Sequence, residues 1–252
     1  MTHYDDPRFS YPKYWLSRQY EHQSEVTAIS KLLKSLRFNK VYDLGGGYGR
    51  LIPTLSQFSH HITLVEPSAK QRQVARRFLK GQPNLNITSG NIQRTTLPRT
   101  SADLVVLVRV LHHLPNPTPA LLEIHRLLKP GGHLLLEFAN SYHFMSRVKS
   151  LITGLPVSTA PIEKRSLANI RRHTIPFVNH YPQSILNTLS LCNFKPLRLL
   201  SVSNFRSPTV KRFIPPPILN YLESISQSPL AKVYFGPSIF ILCKRVDKQS
   251  TP

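Results

Sequence analysis

Three stretches carry residues whose types and spacing could do chemistry. The first is Asp43-Leu44-Gly45-Gly46-Gly47-Tyr48-Gly49, a carboxylate followed by glycines at alternate positions. Glycine lets a backbone turn sharply and approach a ligand closely, and Asp43 could accept from a ligand ammonium. The second is Glu66, which closes the apolar run Ile62-Thr63-Leu64-Val65; a carboxylate there could accept both hydroxyls of a ribose. The third is Val110-Leu111-His112-His113-Leu114. Either imidazole could deprotonate a hydroxyl or a carbon acid, or could pack or cap beneath a site. A glycine-rich turn alone would also suit a dinucleotide enzyme. The spacing is G-x-G-x-G and not G-x-G-x-x-G, and an acid precedes it, which argues against that reading.

These residues need a scaffold that brings them to one edge. Val26, Ile29, Leu32, Leu33 and Leu36 recur at helical spacing and predict a helix from Tyr14 to Leu36, behind a polar arm of residues 1–13. Lys40 to Leu44 reads as a first strand and Arg50 to Phe58 as a helix. Ile62 to Glu66 reads as a second strand, with Pro67 and Ser68 opening a helix that Gly81 stops. A weaker third strand follows at Asn84 to Thr88. Leu104 to Val108 is apolar throughout, as a central parallel strand requires. Thr118 reads as an N-cap with Pro119 behind it, and Pro130-Gly131-Gly132 ends that helix. His133 to Phe138 is a fifth strand. A helix from Pro182 to Cys192, a strand from Leu197 to Val202, a helix through Ile218, Leu222 and Ile225, and a strand from Ser238 to Lys244 complete the order. The alternation predicts an α/β fold: a doubly wound, Rossmann-like, seven-stranded sheet with helices on both faces. The predicted organisation is an arm and lid helix over 1–37, a ligand-binding core over 38–140, an insertion after the fifth strand over 141–180, and the end of the sheet with a helical insertion over 181–252.

The ordered set resembles class I S-adenosylmethionine-dependent methyltransferases. The matching segments are the glycine loop, Val65-Glu66-Pro67-Ser68, Ser101 to Val106, Val110 to Leu114, and Leu127-Leu128-Lys129-Pro130-Gly131-Gly132. Within that class it is most similar to the small-molecule branch that includes ubiquinone and menaquinone C-methyltransferases. The resemblance covers roughly residues 38–140. It implies S-adenosylmethionine as cofactor, with S-adenosylhomocysteine as product. Asp43 and the loop Gly45, Gly46, Gly47 and Gly49 would hold the methionine moiety, Glu66 the ribose, and Pro67 and Ser68 the adenosine edge. Asn91 stands where the class usually has an acid bonding the adenine amino group, and Ile92 would pack on the adenine. Arg109 would lie near the methionine part or contact substrate. Aromatics and Arg18 on the N-terminal helix would form a lid, with Arg18 meeting the cofactor carboxylate. The class needs no obligate base, because methyl transfer from a sulfonium is direct displacement and the enzyme mainly aligns the reactants.

The 252 residues carry a net charge of +21, with 15 Lys/Arg against 3 Asp/Glu over residues 141–252. That balance suits anionic partners, such as nucleic acid, phosphorylated substrates or peripheral contact with an anionic membrane; it also suits a merely solubilising surface. Cys192 and Cys243 form no C-x-x-C pair and read as buried thiols. The histidines lack metal-like spacing with carboxylates, so no metal site is expected. With no apolar run after Met1 and no stretch of membrane-spanning length, a cytoplasmic protein is expected. The Asn-Pro-Pro-Tyr type motif of nucleic-acid amino methyltransferases is absent after the fourth strand. The leading expectation is therefore a methyltransferase acting at oxygen or carbon of a small or lipid-like acceptor. The alternatives are an RNA methyltransferase, motivated by charge, and a non-catalytic S-adenosylmethionine-binding module. Within 141–180, Tyr142, His143, Arg171, Arg172, His173 and His180 are further candidates for substrate contact.

Overall fold

A computed structural model of the chain describes residues 3–6, 8–172 and 174–247. The chain enters through a 3-10 turn (His3–Asp5) and two helices, α1 (Tyr11–Leu16) and α2 (Gln19–Leu33). Strands β1 (Phe38–Leu44), β2 (Ser59–Val65), β3 (Leu85–Thr88), β4 (Ala102–Leu107) and β5 (Leu128–Ala139) then alternate with helices α3 (Ile52–Leu55), α4 (Ala69–Phe78) and α5 (Thr118–Leu127). Beyond β5 come α6 (Phe144–Thr153), β6 (Ile162–Glu163), α7 (Leu167–Arg171), β7 (Val178–Asn179) and α8 (Pro182–Leu191). Strand β8 (Phe194–Val202), α9 (Pro208–Phe213), α10 (Pro216–Ala231) and β9 (Ser238–Arg245) finish the chain.

Seven strands form one sheet in the order β3-β2-β1-β4-β5-β9-β8. The first five run parallel, and β9 is antiparallel to both neighbours, so the sheet is mixed. Strand order reverses between β1 and β4. A crevice opens there, at the carboxyl ends, because the following connections leave in opposite directions. Side chains alternate faces along a strand, so β4 feeds two cores. Leu104 and Val106 pack with Ile29 and Leu32 of α2, Ile52 of α3 and Ala75 of α4. Val105 and Leu107 pack with Leu121 and Ile124 of α5 and Ile185 of α8. All four β4 residues are fully buried, which accounts for their unbroken apolar character.

Several local expectations differ from the structure. The N-terminal helix is broken at Ser17 and Arg18 into α1 and α2, which lets the aromatic α1 turn over the sheet edge. The segment after the glycine loop is mostly turn, with only Ile52–Leu55 helical. Thr118 is the first helical residue of α5 and Pro117 its N-cap. Pro130-Gly131-Gly132 lies within β5, which pairs irregularly with β4 at that end. Helix α10 forms, but Ile218 and Ile225 face outward. Its buried side carries Glu223 and Gln227, which accept from the Tyr20 hydroxyl at 2.7 Å and donate to the Ser24 carbonyl at 2.9 Å. That seam between α2 and α10 is polar and hydrogen-bonded. His173 lies outside the described residues. Among the described residues, no helix is long and apolar enough to cross a membrane.

Candidate active site

The glycine loop is shaped by close approach. Gly45 and Gly49 have φ of +73° and +82°, a region costly for residues with a Cβ. A Cβ on Gly45 would fall 2.6 Å from Val110 Cγ2, and one on Gly49 only 2.3 Å from Leu79 Cδ1. Gly46 makes room for Asp43 itself, whose Oδ2 would sit 2.4 Å from an added Cβ. Gly45 and Gly47 thus face the crevice, while Gly46 and Gly49 serve the packing behind it.

Asp43 is buried, and its Oδ2 has no hydrogen-bond partner. Burial pushes its carboxyl up to about 7; Arg50 pulls it back and Glu66 adds to the rise. Glu66 stands at the end of β2. Its Oε2 accepts from Gly47 N–H at 3.0 Å and its Oε1 from Ser68 N–H at 2.9 Å. Burial raises its pKa in spite of those two bonds. An orphaned carboxylate oxygen, a second carboxylate beside it and open glycine backbone together fit a ligand bearing an ammonium and a diol.

Gly45, Gly47, Glu66, Pro67, Ser68, Ile92 and Val110 line a cavity of about 170 Å³. The N-terminal arm forms its cover. Lys70 Nζ donates to the Phe9 carbonyl at 2.6 Å, Ser68 Oγ to Asp5 at 2.6 Å, and Gln71 Nε2 to the Tyr4 carbonyl at 3.0 Å. Tyr4 and Tyr11 are thereby held over the glycines. Asn91 is exposed, and its Oδ1 accepts from Gln93 N–H at 2.9 Å, so its neighbour Ile92 reaches the cavity and Asn91 does not.

Arg109 follows β4 with φ +61°, a strained conformation for a branched-off long side chain. Two carboxylates hold it there. Its N–H donates to Glu137 Oε2 at 2.9 Å, and its guanidinium meets Glu25 Oε1 at 2.5 Å. Glu25 also holds Arg50 at 2.5 Å, and Arg50 lies 3.6 Å from the Trp15 ring centroid. Burial alone would raise Glu25, but Arg109 and Arg50 outweigh it and hold its pKa below the ordinary value.

His112 is buried, 4.7 Å centroid to centroid from Phe177, and burial followed by the charges of His113 and Arg109 lowers its pKa well below that of a free imidazole. His113 has a defined tautomer. Its Nδ1 lies 2.8 Å from the Pro176 carbonyl, which can only accept, so Nδ1 carries the proton. Nε2 is then the acceptor for the Tyr4 hydroxyl at 2.9 Å. Burial depresses this pKa as well.

A second cavity, of about 500 Å³, adjoins the first. Tyr4, Tyr11, Arg109, His113 and Ile175 line both. Its other walls are Tyr14, Trp15, Arg18 and Glu21 from the N-terminal helices, Arg165, Asn169, Thr174 and Phe177 from the segment after β5, and Arg206. Arg18 therefore borders the larger cavity and lies over the Tyr14 ring at 4.2 Å. His180 Nε2 lies 3.1 Å from the Leu111 carbonyl and braces the 3-10 turn bearing His112 and His113. Tyr4, Tyr11, Glu25, Ile175, Phe177 and Arg206 escaped the sequence reading. Only Glu25 left a trace, as an acid one position away from the apolar face of a helix.

Residues 42–136 match the family model described as a methyltransferase domain, and the segment contains Asp43, the glycine loop, Glu66 and His113. Over these residues the chain carries a methyltransferase domain. A solved S-adenosylmethionine-dependent methyltransferase from Listeria monocytogenes, described as putative, is similar in fold, with a TM-score of 0.64 at 14% identity; 91% of this chain and 100% of that chain are covered. The methyltransferase domain is similar in sequence to the ubiquinone/menaquinone biosynthesis C-methyltransferase of Rubrivivax gelatinosus, at 31% identity over 39% of each chain. It also resembles the mitochondrial ubiquinone biosynthesis O-methyltransferase of Schizosaccharomyces pombe, at 30% identity over 50% of this chain and 48% of that protein. The chain spans less than half the length of these two curated relatives.

Proposed function

We propose that the protein transfers a methyl group from S-adenosylmethionine to an oxygen or carbon of a small acceptor. The observation that carries this reading is the wall common to the two cavities, where Arg109, His113, Tyr4 and Tyr11 line both the smaller site beside Glu66 and a larger chamber. Bound S-adenosylmethionine would supply an electrophilic methyl on a sulfonium. Asp43 is the group for its ammonium and Glu66 for its ribose, with Ile92 against the base.

The chain's own task is then alignment and exclusion of water. Tyr4 and Tyr11 line the smaller site, on an arm held to it through Lys70, Ser68 and Gln71. His113 presents a neutral Nε2 at the common wall, and an acceptor hydroxyl displacing the Tyr4 O–H could give that nitrogen its proton. Two relatives named for C- and O-methylation in quinone biosynthesis are consistent with transfer to carbon or oxygen.

Incubating the purified protein with methyl-labelled S-adenosylmethionine and, in parallel, a small-molecule extract and total RNA tests this. Mass spectrometry should find labelled products that vanish with Glu66→Ala. Label appearing only in RNA, or in nothing, would overturn the reading.

A further inference from the structure

The larger cavity holds a charge that its aromatic walls do not explain. Four guanidinium side chains border it: Arg18, Arg109, Arg165 and Arg206. Two are answered by carboxylates, Arg109 by Glu25 at 2.5 Å and Arg165 by Glu163 at 2.7 Å. Among the described residues, no carboxylate lies within ion-pair distance of Arg18 or Arg206. Arg18 rests on an aromatic ring, and its Nε is buried with no hydrogen-bond partner. Desolvation, then the charges of Arg109 and Arg18, depress the pKa of Arg206, with Glu21 pulling the other way. Among the described residues, Glu21 is the one carboxylate on the wall; its Oε1 holds Lys211 at 3.0 Å, and its Oε2 has no hydrogen-bond partner.

Gathering like charges around a cavity is unfavourable unless an anion completes it. The two unanswered cations come from separate elements, Arg18 from the junction of α1 and α2 and Arg206 from the connection between β8 and α9. Both line the chamber that His113 also lines.

We propose that the methyl acceptor carries an anionic oxyacid group, a carboxylate or a phosphate ester, on an aromatic or apolar body, and that Arg18 and Arg206 bind this group. The proposal rests on the larger cavity being the acceptor site. Guanidinium forks suit the planar or tetrahedral oxygens of such groups, and the charge-assisted bonds would select charged acceptors over neutral ones. Tyr14, Trp15 and Phe177 would cover the body, directing its far end toward His113 and the smaller cavity.

The test is calorimetric titration with 2-naphthoate, 2-naphthyl phosphate and neutral 2-naphthamide, in the presence of S-adenosylhomocysteine. The anions should bind saturably and about tenfold or more tighter than the amide, as loss of one charge-assisted bond implies. Whichever anion binds tighter identifies the acid class of the acceptor. In the double variant Arg18→Gln/Arg206→Gln the preference should fall within about twofold, while S-adenosylhomocysteine affinity and the melting temperature stay unchanged. Arg18→Lys/Arg206→Lys should retain much of the preference. Equal binding of the amide, no binding by any of the three, or a preference that survives the glutamine variant would overturn the proposal. Failure of the underlying methyl-transfer reading is separately visible as absent S-adenosylhomocysteine binding with the anion preference intact.

Discussion

Arg109 Nη2 meets Glu25 Oε1 at 2.5 Å, and this pair ties the end of β4 to helix α2. Glu25 is fully buried and serves Arg50 with its other oxygen. Removing one member of a buried ionic cluster leaves charge uncompensated, which costs about 3–5 kcal/mol. Glu25→Gln should therefore lower the urea midpoint strongly and weaken ligand binding at the wall that Arg109 forms. The pH dependence follows from the lowered pKa of Glu25. Its stabilisation is present above the unfolded carboxylate value and is lost as pH falls through the folded one. The difference between wild type and Glu25→Gln should shrink on acidification, below about pH 4. A difference that stays constant down to that range contradicts the cluster.

Asp43 has the opposite sign. Its folded pKa is raised to about 7, so the stability it allows is full below the unfolded value and declines as pH rises through 7. Asp43→Asn should make the ligand-free protein more stable at pH 8, by an amount on the order of 4 kcal/mol at most, and no more stable near pH 4. S-adenosylhomocysteine affinity of the wild type should rise with pH through about 7, because its ammonium selects the carboxylate. Titrations at pH 6 and pH 8 check this, and Asp43→Asn should lose the difference.

The two histidines should separate. His113→Gln removes the basic imidazole nitrogen and should lower kcat roughly a hundredfold if the methyl acceptor must lose a proton. His112→Phe conserves the packing against Phe177 and should leave kcat within a few-fold. Burial keeps His113 neutral near pH 7, so wild-type kcat should show no imidazole inflection between pH 7 and 8. Equal losses in the two variants would exclude the assignment.

Gly45 and Gly49 distinguish ligand space from packing. Gly49→Ala drives a Cβ into Leu79 at positive φ and should destabilise the fold by roughly 1–3 kcal/mol by thermal unfolding. Gly45→Ala meets Val110 beneath the cavity and should weaken S-adenosylhomocysteine binding in addition.

The sheet was legible because each strand of the methyltransferase core announces itself locally. An apolar run ends in a turn, and β4 is apolar on both faces. Asp43, Glu66 and the glycine loop were legible for the same reason, since strand ends are where the crevice forms. The acceptor side was not. Tyr4, Glu25, Phe177 and Arg206 are far apart in sequence and meet only through long-range packing. The face by which α10 packs was not legible, because a hydrogen-bonded polar seam through Glu223 and Gln227 seats it. Arg18 faces the larger cavity because the chain breaks just before it, and nothing in helical periodicity marks that break.

The most direct measurement is isothermal titration of the purified protein with S-adenosylhomocysteine, run beside Glu66→Ala. That variant removes the carboxylate assigned to the ribose hydroxyls, and a hydrogen bond to a charged group is worth roughly 1.5–3 kcal/mol. The account predicts one saturable site per chain, weakened about tenfold or more by Glu66→Ala with the fold retained. No binding to the wild type, or equal affinity in the two proteins, would contradict it.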